Sequence, residues 1–234
     1  MSRDLSSRQK EILEGLSNKP QIKLKVYDRT LEAFNLLKEI LKKMSNILND
    51  YPGFRDGDER ITLDYRDRGK FEAELNFADD VLIFSMHPNV FLFDRDHAVW
   101  KGSFLKDDPN NGFCGIVSIY NFLFDSIKYN RVNDLGYMVA RIFINKDGFY
   151  LVEGKRQQDN DVNIFGKKKL GKEELQNIVE TAILYTLSFD LLVPPFDLVK
   201  MASVEQINDK IESARHRTGK RMGFRFNSDD VLKS

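Results

Sequence analysis

Basic side chains interleaved with aromatic rings near the C-terminus are the residues whose types most clearly indicate a binding chemistry. The run from Arg215 to Phe226 holds five Arg or Lys residues and no acidic residue. Cations neutralise phosphates and rings stack on bases, so this composition is typical of a single-stranded nucleic-acid contact. The predicted contact residues are Arg215, Arg217, Lys220, Arg221, Phe224 and Arg225. The alternatives are a tail that docks on an acidic partner and a loose terminus whose phenylalanines pack on the sheet.

A second basic cluster, residues 166–172, has the G-x4-G-K spacing of a phosphate-binding loop. Glu173 stands where that motif needs Ser or Thr to hold magnesium, and its carboxylate would repel phosphate. We therefore expect neither nucleotide hydrolysis nor a cofactor. The lysines instead predict an anion site beside the unpaired amides of a helix start, formed by Lys167, Lys168, Lys169 and Lys172. The alternative is a solvated loop whose lysines favour solubility.

Two smaller groups of residues could support hydrolysis. Cys114 would be a nucleophile if it opened a helix, where the helix dipole lowers the pKa of a thiol. Such a site needs an imidazole, and the spacing does not choose among His87, His97 and His216. Asp94 and Asp96 share one side of an extended chain and could hold a cation or act as an acid and a base. The alternative for Cys114 is a buried thiol without reactivity, and the alternative for Asp94 and Asp96 is a solvated turn.

Composition narrows the classes of protein. Lys and Arg together number 36, as do Asp and Glu, so bulk charge neither favours nor excludes nucleic acid. The one cysteine excludes an internal disulfide and a cysteine-cluster zinc site, which indicates a reducing compartment, the cytoplasm. Residues 1–10 do not resemble a secretory signal, and the longest uncharged stretch is too short to span a bilayer. We therefore expect a soluble protein without membrane contact.

Helical periodicity predicts the elements at both ends of the chain. Residues 7–16 and 31–48 are predicted helices, the second capped by Asp28, and residues 22–26 alternate like a strand. Residues 113–127 match helical spacing and are predicted as a helix, although their composition also suits a strand. A further helix spans 173–191 and is stopped by Pro194 and Pro195. Ser203 and Gln206 have capping-box spacing for a last helix ending near Ala214.

The middle of the chain is predicted to be a sheet. Residues 61–65 and 71–77 form a hairpin, as do 137–144 and 149–152, and tight turns require antiparallel pairing. Residues 81–86 and 90–93 are apolar on both faces and are broken by Pro88. The fold class is α+β: an antiparallel sheet of about six to eight strands with N- and C-terminal helices packed on it in two layers. We expect one domain, 1–234, with 1–20 and 215–234 as loose terminal segments.

The apolar residues are plentiful while the polar groups do not converge, which favours a binding or assembly protein over a catalyst. The 18 phenylalanines and the strands that are apolar on both faces exceed what a one-sided sheet needs. Helices on both faces or a subunit interface would account for the excess. We predict a non-enzymatic homodimer or a protein that binds a protein partner. The alternatives are a nucleic-acid-associated protein, and a cysteine or metal-dependent hydrolase.

Overall fold

The N-terminal helix is the longest element of the protein. A computed structural model describes residues 6–55, 61–132, 134–157 and 164–188. Helix α1 (Ser7–Asn49) begins with a capping box, in which Ser6 accepts a hydrogen bond from the amide of Gln9 and the Gln9 side chain accepts one from the amide of Ser6. It continues without a break through Pro20. A short helix, α2 (Pro52–Arg55), follows it.

This continuity corrects three predictions. The strand at 22–26 and the cap at Asp28 are wrong, because both lie inside α1, and the two N-terminal helices are one. Pro20 lacks the amide that would bond the carbonyl of Leu16, but both residues are exposed, so water can satisfy that carbonyl. The alternating apolar residues at 22–26 do not share a buried strand face, because Val26 is fully buried and Leu24 is exposed.

The sheet has seven strands, and every pairing between them is antiparallel. Their order is β1-β2-β3-β5-β6-β7, and β4 pairs with β5 beside this path. The strands are β1 (Leu63–Asp67), β2 (Glu72–Phe77), β3 (Asp80–Met86), β4 (Phe91–Leu92), β5 (Phe113–Leu123), β6 (Tyr137–Asn145) and β7 (Tyr150–Gly154). This confirms the predicted antiparallel sheet and the break near Pro88.

Both predicted hairpins are confirmed, and local turn chemistry explains them. Gly69 joins β1 to β2 at a φ of 105°, and Gly148 joins β6 to β7 at a φ of 81°. Side chains with a Cβ rarely adopt such a conformation. At the second turn, Oδ1 of Asn145 accepts hydrogen bonds from the amides of Asp147 at 3.0 Å and Phe149 at 2.9 Å. These hydrogen bonds fix the register in which β6 pairs with β7.

The helix predicted at 113–127 is wrong, because this segment forms the long strand β5 followed by a short helix, α4 (Phe124–Lys128). One face of β5 is buried under α1, and the other face is half-buried, partly under the segment of residues 98–112. A strand covered on both faces is apolar on both sides and loses the alternation that distinguishes it from a helix.

Helix α5 (Lys172–Leu187) and α1 pack on one face of the sheet, which confirms the α+β fold class. Phe34, Leu37 and Leu41 of α1 join Leu75 and Phe84 of the sheet in the main core. Helix α1 crosses β5 where Gly115 lies against Thr30, and a Cβ on Gly115 would come within 2.1 Å of the Thr30 hydroxyl oxygen. Three predictions lie outside the described residues. They are the helix ending near Ala214, the stop at Pro194 and Pro195, and residues 189–191 of the predicted helix 173–191.

A second, smaller core lies on the opposite face of the sheet. It accounts for part of the surplus of apolar residues that the sequence shows. Short helices from residues 98 to 112, including α3 (Ser103–Asp107), place aromatic and aliphatic side chains against β5, β6 and β7. Its members are Phe93, Val99, Leu105, Cys114, Phe143, Leu151 and Phe165. Helices in the described part of the chain are all too short or too polar to cross a membrane.

Candidate docking surfaces

The first half of α1 is exposed on every side. From residue 7 to residue 25, each side chain is exposed except that of Ile22, which is half-buried. We call residues 7–25 the arm. Its large apolar side chains, Ile12, Leu13, Leu16 and Leu24, all face solvent. A helix whose apolar side chains are exposed in the described part of the chain offers them to another surface.

The apolar stripe of the arm is an extension of the stripe that packs on the sheet. Along α1, one series of positions seven residues apart runs through Leu13, Pro20, Tyr27, Phe34 and Leu41. A second, starting at residue 16, runs through 23, 30, 37 and 44. In the sheet-packed part these positions are buried or half-buried, and in the arm they carry Leu, Pro and one Lys. Apolar residues at this spacing are typical of helices that pack along a partner helix.

Charges on the arm are distributed unevenly along its length. Residues 7–25 carry five basic and two acidic side chains. Both acids, Glu11 and Glu14, lie in the first half, whereas the second half carries Lys19, Lys23 and Lys25 without an acid. The arm therefore becomes more positive toward the body of the protein.

A groove of about 570 Å³ lies between the second half of α1 and helix α5. Ile47 and Leu48 of α1 and Leu184 and Leu187 of α5 line it, and all four side chains are exposed. Among the described residues, the charged side chains that border it are Lys43, Lys172 and Glu180. The described part of the groove thus has an apolar lining and carries one more positive than negative charge at its border.

The four lysines of the predicted anion site are exposed at the start of α5. The Nζ of Lys168 lies 3.4 Å from a carboxylate oxygen of Glu174, and the Nζ of Lys169 lies 5.2 Å from the ring centre of Phe149. The amide of Gly171 donates to the other Glu174 oxygen at 3.0 Å. A carboxylate of the chain therefore already binds at this helix start. An anion bound by Lys167 to Lys169 and Lys172 stays a prediction, and Arg215, Arg217, Lys220, Arg221, Phe224 and Arg225 lie outside the described residues.

Cys114 does not open a helix, which corrects that part of the nucleophile hypothesis. It lies in β5, within the second core, and is 1% exposed. Burial raises the pKa of the Cys114 thiol well above its ordinary value. A thiol in this environment is protonated at neutral pH and is a poor nucleophile.

Asp94 and Asp96 lie in a turn that the backbone stabilises. Oδ1 of Asp94 accepts a hydrogen bond from the amide of Asp96 at 3.1 Å, and the Asp94 carbonyl accepts one from the indole of Trp100 at 2.8 Å. His87 binds the amide of Asn89 through Nδ1 at 3.0 Å. Among the described residues, no group of three or more His, Cys, Asp or Glu side chains is arranged to hold a metal ion.

Sequence reasoning missed a polar cluster on the second face of the sheet. Glu153 contacts Nε2 of His97 at 3.2 Å and a terminal nitrogen of Arg141 at 2.6 Å. Nδ1 of His97 accepts from the amide of Val99 at 3.3 Å, so Nε2 carries the proton of the neutral ring and donates to Glu153. Partial burial raises the pKa of Glu153, but the bonds from Arg141 and His97 outweigh it and lower that pKa below its usual value.

Part of this cluster follows from the hairpin and part does not. Arg141 and Glu153 are direct partners across β6 and β7, so the predicted hairpin places them together once its turn is fixed. His97 joins them from a distant loop for which the sequence holds no comparable signal. Both ring nitrogens of His97 are engaged, which leaves it no free nitrogen to act as a base.

Comparisons with protein families, with curated proteins and with solved structures found no match to this chain. The arm, the groove and the polar clusters are therefore the features of the chain that bear on its function.

Proposed function

We propose that this protein is a non-enzymatic, cytoplasmic assembly protein that forms a homodimer through its arm. The observation that carries the proposal is the apolar stripe that continues from the buried part of α1 into an exposed stretch of helix. Burying Leu13 and Leu16 of the stripe, together with Leu24, against a second arm removes apolar surface from water, as the sheet does for the buried part of α1. The buried single cysteine supports the cytoplasmic location.

Charge on the arm favours an antiparallel pair. In that arrangement Glu11 and Glu14 of one copy approach the lysine-rich second half of the other arm. A parallel pair would place acid beside acid and lysine beside lysine, which is unfavourable. The arm is about 28 Å long, so the interface is small and the dimer is expected to dissociate in the micromolar range.

Light scattering during size-exclusion chromatography, at a series of micromolar concentrations of the full chain, tests the proposal. We expect a concentration-dependent dimer. The variant E11K/E14K makes the arm uniformly basic and should weaken the dimer at low salt. Adding K23E/K25E to it places two acids in the second half of the arm, opposite the basic first half of the other copy, and should restore pairing at low salt.

A matched control changes the same charges elsewhere. The variant E39K/D147K alters two exposed positions outside the arm and should dimerise as the natural protein does. A monomer at every concentration would refute the proposal. Equal dimerisation of E11K/E14K and the control would refute the antiparallel arrangement, because a parallel pair exchanges one like-charge contact for another.

A further inference from the structure

We propose that the tip of each arm, residues 7–13, docks on the sheet of the second copy, beside the base of that copy's arm, residues 22–25. The docking surface is an apolar ledge formed by Leu92 of β4 and Phe113 of β5. Leu92 is 45% exposed, and Phe113 pairs with it directly across the two strands. The inference rests on the proposed arm dimer and adds to it a contact that the sheet provides.

The ledge lies on the sheet face that carries α1, next to the base of the arm. Phe113 and Gly115 point to one face, because side chains alternate along a strand. A Cβ on Gly115 would meet Thr30 of α1, so this is the α1 face. Leu92 shares it, because directly opposed residues of antiparallel strands project to the same side. The Nζ of Lys23, in the base of the arm, lies 6.0 Å from the ring centre of Phe113.

The apolar stripe of the arm points toward the side of α1 on which the ledge lies. Leu13 and Pro20 belong to the seven-residue series that continues into Tyr27. The ring of Tyr27 lies 6.5 Å from that of Phe71, whose carbonyl accepts a hydrogen bond from the amide of Met86 at the end of β3. Strands β3 and β4 both pair with the edge of β5 that faces away from β6. A second arm that packs along the stripe therefore lies on the side of β4.

The antiparallel arrangement brings the tip of one arm to the base of the other. In such a pair, the numbers of opposed residues have a constant sum. The register that sets Glu11 opposite Lys25 therefore also sets Leu13 opposite Lys23. Because Lys23 lies beside Phe113, Leu13 of the second copy reaches the ledge and buries part of its apolar surface.

Charges at the two ends of this contact have opposite signs. The exposed residues 94–96, which follow the ledge in the chain, carry two aspartates and one arginine. The tip of the arm begins with Arg8 and Lys10 before its first acid, Glu11. A net positive tip therefore approaches a net negative loop, which favours the contact.

Two neighbouring residues of β4 provide a matched pair of variants. Leu92 faces α1, whereas Phe91 pairs with Cys114 of the second core and faces the opposite side. The two side chains are similarly exposed, at 45% and 39%. If the ledge receives the second arm, L92A should raise the dissociation constant of the full-chain dimer about tenfold, and F91A should leave it unchanged. Sedimentation velocity over a concentration series measures both constants.

A double-variant measurement shows whether Leu92 contacts the arm itself. L13A and L92A each remove the same contact, so L13A/L92A should weaken the dimer by less than the product of the two single effects. L13A/F91A should weaken it as much as L13A alone. Circular dichroism should show the same helix content in every variant.

The outcomes separate this inference from the arm dimer. If E11K/E14K weakens the dimer while L92A and F91A have equal dissociation constants, the ledge is not part of the contact and the inference is overturned, although the arm dimer stands. Effects of L13A and L92A that multiply fully would also overturn it, because the two residues then act independently. A monomer at every concentration would refute the arm dimer and this inference together.

Discussion

Leu16→Ala removes an exposed apolar side chain from the arm while keeping a residue of high helix propensity. Leu16 is 62% exposed, and burying a whole leucine side chain contributes about 2 kcal/mol. Covering the exposed part in both copies of a symmetric dimer therefore contributes about 2.5 kcal/mol, of which alanine retains a small share. We expect a loss of about 2 kcal/mol, or a dissociation constant about 30-fold higher.

Sedimentation velocity over a concentration series measures this dissociation constant directly. The control is Leu135→Ala, which truncates an equally large and 66% exposed leucine in the loop before β6 and should leave dimerisation unchanged. Circular dichroism should show the same helix content in both variants. If L16A and L135A dimerise equally, the apolar stripe of the arm does not form the interface and the reasoning is refuted.

Three further predictions concern the body of the protein. Gly115→Ala should lower the thermal unfolding midpoint, because overpacking against α1 costs about 1–3 kcal/mol, whereas Gly15→Ala meets nothing within 4 Å and should raise it. Folding lowers the pKa of Glu153, so the stability that its carboxylate contributes is present above the unfolded-state pKa and is lost as pH falls through the folded-state pKa. Glu153→Gln should therefore make the free energy of unfolding depend less steeply on pH in acid, and an unchanged slope would contradict this. Cys114 should react with a thiol reagent only slowly until denaturant is added, and rapid native labelling would contradict its burial.

Elements whose signals are local could be predicted from the sequence. A glycine at a turn with positive φ, as at Gly69 and Gly148, and an asparagine that caps its own turn act over a few residues. The hairpins they close then fix cross-strand partners, including Arg141 and Glu153. The sheet and the fold class followed from these hairpins.

Elements decided by their tertiary surroundings could not be predicted in the same way. Strand β5 is covered from both sides, and its apolar residues satisfy helical and strand periodicity alike. Residues 22–26 alternate, yet the helix on either side of them extends through, because only Val26 reaches the core. Two features arise from distant segments that meet only after folding: the contact between His97 and Glu153, and the groove between α1 and α5. The spacing of residues along the chain therefore cannot predict them.

The arm and the groove lie far apart on one helix, so they are two separate surfaces through which copies of the chain can associate. Leu16 and Met44 are 28 residues apart, about 42 Å along α1. Two arms that pair in antiparallel form a closed twofold contact, and such a contact by itself stops at a dimer. An uncovered groove would leave each dimer with two more apolar surfaces, one on each copy, through which dimers could join without closing. The variant L184D/L187D places charge in the groove, so it should abolish any species larger than a dimer that the natural chain forms at high concentration.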